Sequence, residues 1–178
     1  MTGPVTCTLA TSSVITSCSL PPYSLTSAPR RPALNPDRFP LTDCLLHQPP
    51  LRMVERLLSI DETRARCALT LRADNPFIGR QGTLPGYLGI ELMAQGVALF
   101  AGYHCLRRGE PVRVGYLLGS RHYRSHRSHL EPGCELEIEV EQEYFSEGMA
   151  LFSCRLLAQG NELASARLNT FQAPLANV

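Results

Sequence analysis

The chain predicts an α+β fold, one long apolar helix followed by a run of antiparallel strands. Three observations carry this. Over residues 83–100, apolar side chains recur at Leu88, Leu92, Val97 and Leu99 or Phe100, flanked by Ile90 and Met93, which describes a helix buried on most sides. From Glu135 onward, Glu137, Glu139, Glu141 and Glu143 alternate with Leu136, Ile138, Val140, Gln142 and Tyr144, the pattern of a strand with one acidic face turned to water. Two turn signals, Ser146-Glu147-Gly148 and Gln159-Gly160-Asn161, then mark off two further strands, 149–158 and 162–172.

The 178 residues suffice for one domain with a substantial core. With 44% hydrophobic residues, 19% charged residues and a formal net charge of +1, the composition is that of an ordinary globular protein, and the near-neutral balance argues against a binder of nucleic acid. No run is long or apolar enough to span a bilayer as a helix. The seven cysteines are odd in number and without CxxC spacing, so they read as free thiols of a reducing compartment, with the cytoplasm as the expected location.

Taken in order, residues 1–36 are rich in Ser, Thr and Pro, contain no acid and carry only Arg30 and Arg31 as charges. Such a stretch cannot bury enough apolar surface to fold, and no basic n-region precedes an apolar core. We expect a disordered tail or the product of an upstream start site there, and a domain over 37–178. Residues 39–58 open that domain and end in an apolar first strand. Residues 63–71 place Ala65, Cys67, Leu69 and Leu71 on one face of a half-exposed strand. Asp74-Asn75-Pro76 and Gly79-Arg80-Gln81-Gly82 form a loop into the helix. Pro85 suits the first helical position, where its missing N–H costs nothing. Glycines 86, 89, 96 and 102 each cost about 1 kcal/mol of helix propensity relative to Ala, so another backbone or a ligand is expected to come close. Arg107-Arg108-Gly109 and Pro111 close the helix. Residues 112–118 read as a strand with Gly115 at a point of close approach, and 119–129, GSRHYRSHRSH, are the basic spot of the chain.

Two polar side chains stand inside the apolar helix, Glu91 and Gln95, one turn apart and so on one face. A buried carboxyl there is either a structural Glu–Gln pair or a general acid with a raised pKa. The stretch PGYLGIELMAQ resembles the active-site helix of the hotdog-fold 3-hydroxyacyl-acyl-carrier-protein dehydratases, the FabZ/FabA class, in wording nearest to the dehydratase-like proteins of aryl-polyene biosynthesis. The resemblance runs from about Leu45 to Gln172 and is strongest over 84–95. It implies a curved antiparallel sheet wrapped round one long central helix, and a site completed across a homodimer or a heterodimer with another hotdog protein. It places Glu91 on the catalytic acid and Gly86 on the residue whose N–H faces the thioester carbonyl. Pro85, Tyr87 and Gln95 come with these as substrate-binding neighbours. Leu45-Leu46-His47-Gln48-Pro49-Pro50 resembles the family's leading segment, which lies beside the substrate tunnel.

Dehydration needs a base for the α-proton, an acid for the leaving hydroxyl and a donor to the thioester oxygen. In the resembled family a His-Phe-Pro-Gly-like motif ahead of the Pro-Gly pair supplies a histidine. The equivalent stretch here, residues 75–83, is shorter and has none. His47 is therefore the candidate base, set against a hydrogen-bonded structural histidine. His104 is expected to cap the helix or face solvent. His122, His126 and His129 share the basic segment with Arg121, Arg124 and Arg127, which is either a solvated face or a docking site for the acidic acyl carrier protein. No phosphate loop, nucleophile elbow or metal triad is present, and neither cofactor nor metal is expected. The expected activity is dehydration of a 3-hydroxyacyl thioester on acyl carrier protein. The alternatives are a non-catalytic accessory hotdog subunit and an acyl thioesterase.

Overall fold

The computed structural model describes residues 32–172. A 3-10 turn (Pro36–Arg38) and a one-turn helix α1 (Leu41–Cys44) precede strands β1 (Arg56–Ile60) and β2 (Arg64–Thr70). A short strand β3 (Leu84–Pro85) and a 3-10 turn (Gly86–Leu88) lead into the long helix α2 (Gly89–Arg107). Then come β4 (Gly115–Ser125), β5 (His129–Leu130), β6 (Glu135–Ser146), β7 (Met149–Ala158) and β8 (Asn161–Gln172). Six strands form one sheet in the order β1-β2-β6-β7-β8-β4, with every neighbouring pair antiparallel, while β3 and β5 pair separately. This is the expected α+β class, a single long helix against an antiparallel sheet.

Helix α2 touches β2, β4, β6, β7 and β8. Its Leu92, Met93, Leu99 and Tyr103 are fully buried against the inward residues of the sheet, among them Cys67, Leu69, Leu136, Ile138, Leu156 and Leu168. Each such side chain contributes about 1.5–3 kcal/mol over an exposed one. The small residues on α2 explain how close the partners come. A Cβ added to Gly96 would lie 2.8 Å from Ile138 on β6, and one on Gly102 would lie 1.8 Å from the Cys44 carbonyl oxygen of α1. The expectation of close approach is met on two sides of the helix.

Four expectations are corrected. The helix does not start at Pro85. That residue pairs with His129 in the β3–β5 ribbon, and the regular helix begins at Gly89 after a tightened 3-10 turn. The glutamates of β6 do not form a bare acidic face. Arg56 reaches Glu135, Arg64 reaches Glu141 at 2.7 Å, Arg66 reaches Glu137 and Glu139, Arg155 reaches Glu139 and Arg167 reaches Glu143. Cross-strand register, invisible within one strand, puts these arginines opposite the acids. The strand expected over 112–118 instead spans Gly115–Ser125, so that residues 119–125 of the basic segment continue β4 along the sheet edge with a bulge between Arg121 and Arg124. Within that bulge His122 takes φ 61°, the left-handed region that a β-extended reading does not foresee.

The fourth correction concerns the domain boundary. Most of the expected tail, residues 1–31, lies outside the described residues. Leu34 and Asn35, however, are part of the fold. The Leu34 N–H donates to the Ile60 carbonyl at 2.8 Å, Asn35 caps the first 3-10 turn through the Asp37 N–H at 3.0 Å, and the buried Tyr103 hydroxyl donates to the Asn35 carbonyl at 2.7 Å. The five described cysteines are free thiols, and four of them are buried.

Candidate active site

A cavity of about 400 Å³ runs along one flank of α2. Ala94, Ala98 and Ala101 line it from the helix, at the i, i+4, i+7 spacing of a single face, and Phe152 and Phe171 line it from the sheet. Gly115, singled out in the sequence as a point of close approach, also lies on this wall. Glu91 and His47 both border the cavity. Glu91 is the third residue of α2, and His47 follows α1 in an irregular segment, so residues 44 positions apart are brought to one place. The His47 Nε2 lies 4.0 Å from Glu91 Oε1, with the two side chains 37% and 39% exposed. That spacing is too long for a direct hydrogen bond and brings both groups within reach of one bound molecule.

Glu91 is not the buried carboxyl expected from its apolar surroundings in sequence. The enclosed member of the pair is Gln95, at 0% exposure. Its Oε1 accepts from the N–H groups of Met53 and Val54 at 2.9 and 3.4 Å. Its Nε2 donates to the Leu51 carbonyl and to Glu91 Oε1, each at 2.9 Å. One neutral amide thus ties the segment that follows His47 to the helix acid. Because Nε2–H donates to Oε1, that oxygen is held as an acceptor, and a proton on Glu91 is directed to Oε2. Gln95 therefore does not face the cavity as a substrate-binding group. The Nδ1 of His47 is sealed from solvent with no hydrogen-bond partner among the described residues.

The other expected site residues lie elsewhere. Pro85, Gly86 and Tyr87 do not border the cavity, and Tyr87 is 67% exposed. The Gly86 N–H, expected to face a thioester carbonyl, donates to the Ser128 carbonyl at 2.7 Å. A Cβ there would lie 2.0 Å from the Arg127 carbonyl oxygen, and the Tyr123 hydroxyl donates to the Gly86 carbonyl. The β3–β5 ribbon simply continues one residue further and takes this amide. Arg121, Arg124 and Arg127 are exposed along and just beyond the edge strand, and nearby His126 lies 3.6 Å from Glu162. His104 is not a solvent-facing cap. It is buried at 7% exposure, its Nε2 lies 3.0 Å from the Asp61 carbonyl oxygen, and burial pushes its pKa down.

The part of the site that sequence reasoning missed is the outer wall. Tyr116 and Leu117 of β4 and Phe145 near the end of β6 border the cavity while remaining 56%, 41% and 59% exposed. Their only signal was apolar character on strands, which marks a core residue equally well. Among the described residues no helix is long and apolar enough to cross a membrane.

The chain is 32% identical over 135 residues to the 3-hydroxyacyl-[acyl-carrier-protein] dehydratase FabZ of Albidiferax ferrireducens, covering 72% of this chain and 87% of that protein. It is 37% identical over 101 residues to an uncharacterized thioester dehydrase of Halalkalibacterium halodurans, covering 54% of this chain and 63% of that one. Among solved structures, it superposes on a chain of the dehydratase heterocomplex ApeI:P from Xenorhabdus doucetiae with a TM-score of 0.73 and 29% identity, over 77% of this chain and 93% of that chain. The long helix against its antiparallel sheet is the hotdog fold. A family profile described as ApeP-like, ApeP dehydratase, matches residues 39–178, and the chain belongs to that ApeP-like family of dehydratases.

Proposed function

We propose that this chain dehydrates 3-hydroxyacyl thioesters carried on an acyl carrier protein, with Glu91 as the acid and His47 as the base. The observation that carries the assignment is the 4.0 Å approach of His47 Nε2 to Glu91 Oε1 on one apolar-lined cavity, in a chain of a dehydratase family. In this reading the acyl chain lies along Ala94, Ala98 and Ala101, with its reacting carbons between the two groups. The imidazole takes the α-proton, the C3–O bond breaks, and Glu91 protonates the departing hydroxyl, so that water leaves and a double bond forms. The proton then returns from His47 to Glu91, which restores both. The positive end of α2 lies next to Glu91 and favours negative charge developing on the thioester oxygen.

One observation favours a second reading, in which the chain is the accessory member of a heterodimer. For Nε2 to act as a base, the neutral ring must carry its proton on Nδ1, which is buried without an acceptor at a cost of about 1–3 kcal/mol. A histidine from a second hotdog chain removes that cost. The ApeI:P heterocomplex supports such a pairing, and we extend it to this protein.

The test is a pair of substitutions, Glu91→Gln and His47→Ala, assayed on a 3-hydroxyacyl-carrier protein with and without a hotdog partner. Removal of a positioned acid or base costs about two to four decades of rate, and Glu91→Gln is expected to be the more damaging. Activity that appears only with the partner and ignores both changes selects the accessory arrangement. Activity that survives both changes overturns the site.

A further inference from the structure

The inner face of β6 reads Leu136, Ile138, Val140 and then Gln142, an amide where the alternation calls for a fourth apolar residue. Gln142 stands opposite the buried Phe152 of β7, so the register puts its side chain on the face that α2 covers, and it borders the cavity there. Its backbone is pinned by donation to the Thr63 carbonyl at 2.7 Å, yet its side-chain amide has no hydrogen-bond partner among the described residues. The amide atoms are not sealed off either, so they open into the cavity. Two other glutamines beside α2 are already engaged, Gln95 as described above and Gln172 through donation to the Arg113 carbonyl at 3.1 Å. The level of Gln142 along the cavity follows from the packing of α2. A Cβ on Gly89 would lie 3.7 Å from Ala164, and the Cys105 Sγ lies 3.9 Å from the Gln172 Oε1, so α2 runs in the direction of β8. Strand β7 is antiparallel to both its neighbours, so β6 runs that way too. A Cβ on Gly96 would meet Ile138 and Val140, which puts Gln142 one row beyond Gly96. Gly96 is five residues past Glu91, about 7.5 Å along the helix axis, and the next row of a strand adds about 7 Å. The amide therefore faces the middle of the cavity, near the level of Ala98 and Ala101, well away from the acid.

We propose that Gln142 is a specificity-determining residue, which selects acyl chains bearing a hydroxyl or keto oxygen several carbons beyond C3, on the stretch that passes Ala98 and Ala101. A plain alkyl tail on this wall strips the amide of water and returns no hydrogen bond, whereas an oxygen on the chain restores one. A keto oxygen accepts from the Gln142 Nε2–H, and a hydroxyl can also donate to Oε1. This rests on the acyl-thioester reading above and deepens it, since the substrate becomes a chain that still carries an oxygen remote from the reacting carbons.

Binding of hexadecanoyl-pantetheine thioesters tests this on the full-length chain without requiring turnover, with a single hydroxyl walked outward from C5 and the plain chain as reference. In the unaltered protein, affinity is expected to peak about 5-fold or more above the plain chain at one or two adjacent positions. At other positions it is expected to fall below the plain chain, because the hydroxyl is then buried against apolar wall. In Gln142→Leu the peak is expected to vanish while the plain chain binds about 5-fold more tightly. A glutamine that served only to hold the fold would, on replacement, weaken every member of the series alike, and that result overturns the inference. The peak in the unaltered protein needs no variant, so the idea stays exposed even if Gln142→Leu folds poorly. A plain chain that binds best across the whole scan, or a well-folded Gln142→Leu with the same peak, also overturns it and leaves the dehydratase reading standing. Failure of the whole series to bind overturns this inference together with the acyl-thioester reading. A protein that binds with the expected peak yet eliminates no water loses only the catalytic reading.

Discussion

Gln95 is fully enclosed and Glu91 is not, and the difference follows from what each can do without water. A neutral amide has two donors and an acceptor oxygen with two lone pairs, and the backbone of residues 51–54 together with Glu91 uses all of them. A carboxylate in the same place would face the N–H groups of Met53 and Val54 well but would oppose the Leu51 carbonyl. The i, i+4 spacing made the pairing legible in the sequence. Which member is buried was not, because it depends on a segment some forty residues earlier. His104 shows the same limit, since its partner is the Asp61 carbonyl of the β1–β2 turn. Burial is the largest influence on this imidazole and lowers its pKa from the ordinary 6.5, so the unfolded chain binds the proton more readily than the folded one. The stability that comes from burying His104 as the neutral imidazole is therefore present above pH 6.5 and declines as the pH falls below it. Denaturant titrations across that range should show the decline, and His104→Gln, which cannot titrate, should flatten it. An identical slope in the variant would mean that other groups set the acid limit.

At the scale of elements, α2 carries the fold because partners press on it from several sides. Its apolar run and its C-terminal Arg107-Arg108-Gly109 stop were legible, and the strands β2, β6, β7 and β8 fall within a residue or so of their expected limits. The start of α2 was not, because Leu84 and Pro85 are drawn into pairing with Leu130 and His129, which lie well over a hundred Å of extended chain away. Glycine content pointed to close neighbours without naming them. The structure ranks those neighbours. At Gly96 an added methyl meets side-chain atoms of Ile138 at 2.8 Å and Val140 at 3.2 Å, which can shift, whereas at Gly102 it meets backbone of α1 at 1.8 Å. Alanine brings about 1 kcal/mol of helix propensity to either position. Overpacking costs about 1–3 kcal/mol, occasionally more, so Gly96→Ala should be mildly destabilising and Gly102→Ala clearly worse. Equilibrium unfolding in urea measures both, and equal stability of the two variants would mean that α1 yields more readily than its contact with α2 suggests.

Across the whole molecule, the arginine partners of β6 leave the broad outer sheet face internally compensated, while the β4 edge is left open and basic. That edge is eleven residues long and exposes Tyr116 and Leu118, each at 56%. A long uncovered edge with apolar side chains is a template for pairing with another chain, and in the present reading a second hotdog protein takes it. Leu118→Lys should then lower the association state measured by sedimentation at micromolar concentration, and an unchanged state would place the interface elsewhere. Further along the same edge stand Arg121, Arg124 and, past it, Arg127, for which we propose docking of the acidic carrier protein. Their exposure decides the form of the test. Exposed charges act through solvent, each contact contributes little, and mobile ions screen the attraction over about 10 Å at 0.1 M salt and about 30 Å at 0.01 M. Replacing all three by Ala should therefore weaken carrier-protein binding strongly at low salt and only slightly at high salt, mainly by slowing association. The fold should be unaffected, because these side chains form no ion pair among the described residues. Binding kinetics measured at the two salt concentrations separate this from a general loss of structure, which would weaken binding at both. A triple variant that binds the carrier protein as well as the unaltered chain at low salt removes these arginines from the docking surface.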